Sequence, residues 1–68
     1  MIIGVNRILN LVQIISGGRR YTCPMVKLNG VDTFRFKNKI YNVADHVSEH
    51  TTELLYEGKK VISRLFKK

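Results

Sequence analysis

A chain of 68 residues makes one thin domain, and its size leaves little body for a water-excluding catalytic cleft. Its lone cysteine, Cys23, excludes an internal disulfide and fits a reducing, cytoplasmic setting. Twelve basic residues against five acidic ones give a net charge of +7, a field that favours a polyanionic partner: nucleic acid, an anionic membrane or an acidic protein surface.

The first segment, Met1 to Ile15, is apolar but interrupted by Asn6, Arg7, Asn10 and Gln13. It is too short and too polar to span a bilayer, and it lacks the early positive charge and cleavage site of a secretion signal. No integral membrane association is therefore expected, and the segment belongs to the fold. Within residues 6–16 a helix is available through Val5, Ile8, Val12 and Ile15. The β-branched content, followed by Ser16-Gly17-Gly18, favours a strand over that helix.

The turn at Gly17-Gly18 leads into Arg19-Arg20-Tyr21-Thr22-Cys23, a second strand that Pro24 must place at an edge, bulge or split. Met25 to Leu28 resumes the extended chain, and Asn29-Gly30 is the clearest hairpin signal. Val31 to Lys37 alternates, with Phe34 and Phe36 on one face and Thr33, Arg35 and Lys37 on the other. A short turn at Asn38 precedes Ile40 to Val43.

Beyond that point the apolar spacing turns helical. Val43, Val47, Leu54, Leu55, Val61, Ile62, Leu65 and Phe66 recur every three to four residues or multiples of that spacing. Asp45, Glu49, Glu53 and Glu57 fall four apart, and Lys59, Lys60, Arg64, Lys67 and Lys68 follow, an order that suits a helix dipole. The pattern predicts a long amphipathic helix over about 44–66, capped by Asp45 or Ser48 and weakened at Gly58, which would be a hairpin turn if the helix does not form. The predicted fold is one α+β domain over 1–68: an antiparallel meander of about four strands in 1–43, with the helix across one face. Phe34 and Phe36 are expected in its core.

In such a meander the first and third turns lie at one end, and the last turns of the helix return there. Arg19, Arg20, Lys37, Lys39, Lys59, Lys60 and Arg64 would then form one basic end, with Arg35 on the strand beneath. These residues are the candidate contacts to nucleic-acid phosphates or to an acidic partner, and Tyr21 and Tyr41 would add stacking if they emerge nearby. Leu55, Ile62 and Phe66 form the candidate apolar face for a partner protein or a homodimer.

His46-Val47-Ser48-Glu49-His50 matches H-x-x-E-H, the inverted zinc-peptidase pattern. A third protein ligand and an enclosing cleft are both missing from the sequence, so the histidines read as boundary residues and no metal site is assigned. Gly17-Gly18-Arg19-Arg20 lacks the spacing of a phosphate-binding loop. No nucleophile–base pair or paired carboxylates can be read, so neither catalysis nor a cofactor is expected.

Val26 to Gly30 and Tyr56 to Val61 look like the strand–glycine and late-strand signatures of Sm-like RNA-binding barrels. The middle motif lacks the family's second Gly or Asp, and the later segment would have to be a strand. The resemblance covers about eleven residues and does not assign the family.

Charge and composition lead to a small basic non-enzymatic binding protein that contacts nucleic-acid phosphates through its basic end. The alternative is a regulator or inhibitor that blocks an acidic-surfaced protein, such as a nucleic-acid-processing enzyme.

Overall fold

The computed structural model, which describes residues 1–66, is a seven-stranded sheet assembled largely from hairpins. The strands are β1 (Ile2–Asn6), β2 (Leu11–Ser16), β3 (Arg19–Leu28), β4 (Val31–Phe36), β5 (Lys39–Asn42), β6 (Thr52–Glu57) and β7 (Lys60–Leu65). A single 3-10 turn, Val43–Asp45, follows β5. Strand order across the sheet is β5-β4-β3-β2-β1-β6-β7. Neighbours are antiparallel except β1 and β6, which run parallel with Val5 beside Glu53.

Turn chemistry explains the hairpins. Asn29 and Gly30 both take positive φ (51° and 79°), the two-residue geometry whose twist matches flanking strands. Lys37 and Asn38 adopt the same sign of φ (50° and 64°) without a glycine. Between β1 and β2 the Asn6 Oδ1 accepts hydrogen bonds from the backbone N–H groups of Ile8 and Leu9, each at 3.0 Å. The segment 6–16 is thus two extended pieces separated by a side-chain-braced turn.

β3 belongs to two partners. Arg19 to Pro24 pairs with β2, and Met25 to Leu28 pairs with β4. Pro24, which has no N–H to give, sits at the changeover, and the Met25 N–H donates to the Asn10 carbonyl at 2.8 Å. The sheet folds over itself there. The inward residues of β1, β2 and β3, namely Ile2, Val5, Val12, Ile14 and Cys23, meet Phe34 of β4 and the crossover residues Val43 and Val47. Ile2 and Val5 both point inward, against strict alternation, because the β1–β2 register shifts between Ile2 and Gly4.

The crossover from β5 to β6 is fastened to the start of β1. The Thr51 hydroxyl, fully buried, donates to the Ile2 carbonyl at 2.9 Å and accepts from the Ser48 N–H at the same distance. At the other end of β1, Arg7 makes an ion pair with Asp32 of β4 at 2.8 Å and a second with Glu53 of β6. Arg64 of β7 reaches the other Glu53 oxygen at 3.5 Å. Burial pulls the Arg7 pKa down, but the hydrogen bonds and charges of Glu53 and Asp32 outweigh it and hold the guanidinium above its ordinary value.

This architecture corrects the predicted fold. The domain is all-β, and neither the α+β meander of about four strands nor the amphipathic helix over 44–66 exists. In place of the helix stand a 3-10 turn, a loop and the β6–β7 hairpin, with Gly58 at its turn (φ 62°). Two features mimic helical spacing. Leu55 pairs directly with Ile62 across the hairpin, so their sequence separation equals two helical turns without any helix. The outward positions Leu54, Tyr56, Val61 and Leu65 are apolar as well, which erases the alternation of a half-buried strand. Lys67 and Lys68, expected at the helix end, lie outside the described residues.

Candidate functional site

The expected basic end divides in two. Arg19 and Arg20 open β3 after the Gly17-Gly18 turn, while Lys37 and Lys39 flank the β4–β5 turn. The fold-over brings these turns together: the Lys37 Nζ lies 5.9 Å from the Tyr21 ring centroid and 5.3 Å from that of Phe36. The ammonium rests against the two rings, on the face of β3 that carries Tyr21, whereas Arg20, paired with the exposed Ile15, points to the opposite face. Lys39 pairs with Phe36 across the same turn.

Lys59 and Lys60 sit elsewhere. β6 runs parallel to β1, so the β6–β7 turn lies at the end where β1 enters β2, opposite the Gly17-Gly18 turn. Arg64 faces inward and is engaged by Glu53. Arg35 stands on the outer face of β4, opposite Ile40. The replacement of the helix by a hairpin is the reason: β7 carries the chain back along the far edge of the sheet, beyond β1 and β6, and not across the face of β3–β5. The acids are dispersed too, Glu53 in the interior and Glu49 on an exposed loop beside His50 at 3.3 Å.

Between the folded halves of the sheet an open cleft borders the first basic group. Ile2 and Ile14, both buried, lie at its base, and Phe34, Phe36, Tyr41 and His46 line it. Its volume is about 150 Å³, below the roughly 300–1,000 Å³ of pockets that enclose a small molecule. The rings are mutually ordered. Phe34 and Tyr41 stack with centroids 5.4 Å apart and planes at 23°. His46 presents an edge to both, at 5.7 and 5.3 Å, and Tyr21 meets Phe36 edge-on at 5.0 Å.

The candidate apolar face does not form as expected. Leu55 and Ile62 are half-buried partners on the inward side of β6 and β7, and Phe66 packs against the core. Exposed apolar side chains gather on two outer faces: on β3–β5, where Val26, Leu28, Val31 and Ile40 surround the buried Thr33, and on β6–β7, where Tyr56, Val61 and Leu65 share one side.

The H-x-x-E-H residues are not on a helix. His46 follows the 3-10 turn and faces the cleft, whereas His50 points to solvent. Among the described residues no three His, Cys, Asp or Glu side chains gather as a metal site. Cys23 is buried, and burial pushes its thiol pKa up, the direction of an unreactive sulfur.

Sequence spacing missed the cleft because Phe34, Phe36, Tyr41 and His46 lie on three different elements. The available signal was the alternation of Phe34 and Phe36, which fixes one shared face without saying that the face is partly open. Among the described residues no helix is long and apolar enough to cross a membrane. No protein-family model, characterised protein or solved structure matches the chain.

Proposed function

We propose that this chain is a small, cytoplasmic, non-enzymatic protein that binds nucleic acid through phosphate contacts from Arg19, Arg20, Lys37 and Lys39. The supporting observation is the seat of the Lys37 ammonium against Tyr21 and Phe36, which brings the β4–β5 turn to the strand that follows the Gly17-Gly18 turn, at the edge of an aromatic cleft. Cations at a cleft rim meet a phosphate backbone, while the half-buried rings of Phe36 and Tyr41 border the cleft that a base would enter. Lys59 and Lys60 add long-range attraction from the far end.

Fluorescence anisotropy with labelled oligonucleotides across a salt series tests this reading. Affinity falls linearly on a log–log plot, and Arg19→Glu or Lys37→Glu weakens it strongly while Lys60→Glu has a small effect. Absence of binding at low salt refutes the proposal. So does an equal loss from Lys60→Glu, which would reduce the interaction to diffuse net charge.

A second reading, docking on an acidic-surfaced protein, draws on the apolar patch around Arg35. It requires that Ile40→Asp abolish binding to that partner, with oligonucleotide binding absent in the unmodified protein.

A further inference from the structure

We infer that the cleft seats one unstacked base of a single-stranded nucleic acid, an inference that rests on the phosphate-binding reading above and narrows it. Three observations converge on this occupant. The cleft's volume, about 150 Å³, is on the scale of one nucleobase and well below the roughly 300–1,000 Å³ of a metabolite pocket. Its lining is aromatic, with the Phe34–Tyr41 stack and the His46 edge held in fixed mutual geometry before any ligand arrives. Lys37 sits at its edge against the ring of Phe36, with Lys39 across the same turn and Arg19 paired with the lining residue Ser16.

Polar groups remain for the edge of the base. Among the described residues, no hydrogen bond engages the Ser16 hydroxyl, the Tyr41 hydroxyl or the His46 ring. Ser16 and His46 both line the cleft. A duplex cannot use such a site, because its bases are stacked and paired, and opening them costs free energy. A single strand offers bases at little cost, and stacking on aromatic side chains tolerates any sequence.

The test compares four probes of matched length by anisotropy at low salt: a labelled single-stranded oligonucleotide, the same strand with abasic sites throughout, its duplex, and inorganic polyphosphate as competitor. The expected result is that the intact strand binds about tenfold tighter than the abasic strand or the duplex. Tyr41→Leu, which keeps apolar volume and removes the ring, is expected to bring the intact strand down to the abasic level. It leaves abasic binding and polyphosphate competition unchanged. His46→Ala, at an exposed position, provides a second variant should Tyr41→Leu perturb the fold.

Equal binding of intact and abasic strands overturns the base-seat inference and leaves the phosphate reading intact. Equal losses on all probes from both variants overturn it as well. Failure of every probe to bind at low salt removes both readings together.

Discussion

Replacing Arg7 by Leu isolates the charge cluster that ties the two halves of the sheet together. Glu53 is 5% exposed and loses its closest cation in this variant, keeping only Arg64 at 3.5 Å. Removing one partner of a fully buried pair costs about 3–5 kcal/mol. The Arg7 side chain is itself 33% exposed, and Arg64 remains to compensate in part, so the figure is discounted for screening to about 2–3 kcal/mol. For a domain of this size each kcal/mol shifts the melting midpoint by roughly 4–8 °C, giving a drop of about 8–24 °C. Circular dichroism melts and urea titrations read it, and the double variant Arg7→Leu/Glu53→Leu completes the cycle. The double variant is expected to be more stable than Arg7→Leu alone, because no carboxylate is left behind in the interior. A midpoint for Arg7→Leu within about 2 °C of the unmodified protein would refute this account. Equal stability of the single and double variants would show that Glu53 is indifferent to its partner.

Gly58→Ala separates hairpin from helix by sign: at φ 62°, with nothing near the added methyl, it is expected to cost about 1–2 kcal/mol in urea unfolding, whereas a helix would gain about 1. Thr51→Val removes a hydroxyl that both donates and accepts inside the protein, and a loss of about 1–3 kcal/mol is expected by thermal melting. Cys23 is expected to resist alkylation by iodoacetamide in the native state and to react promptly in urea. Its raised thiol pKa stabilises the fold fully below the ordinary thiol pKa of about 8.5, and that contribution is lost as pH rises beyond it. Cys23→Ala therefore flattens the alkaline limb of a stability–pH curve, and an unchanged limb would contradict the assignment.

What could be read in the sequence were features encoded by neighbours. Asn29-Gly30 specifies its hairpin within two residues, and Pro24 marks a discontinuity in the ladder wherever it falls. The class of the last third was not legible, because Leu54-Leu55 and Val61-Ile62 supply apolar groups to both faces of a hairpin and reproduce a helical period. Gly58 carried the decisive information, yet one glycine weighs little against a periodicity spread over many residues. The approach of Lys37 to Tyr21 follows from two hairpin turns on a folded-over sheet. The separation of Lys59 and Lys60 follows from a parallel pairing that no local pattern announces. Arg7, Asp32 and Glu53 carried no signal of their cluster, since each is unremarkable among its own neighbours.

The parallel pairing of β1 with β6 also bears on how the chain reaches its native state. Hairpins β1–β2, β2–β3, β3–β4 and β4–β5 each close over a short stretch and can form early. The Thr51–Ile2 hydrogen bond joins residues 49 apart, and the pairing beside it closes a comparably long loop. Until residues 52–57 arrive, the free edge of β1 is an open template of main-chain donors and acceptors. A strand made about fifty residues after β1 therefore serves as its cover, and the interval before β6 docks is when the β1 edge is exposed to pairing with a neighbour.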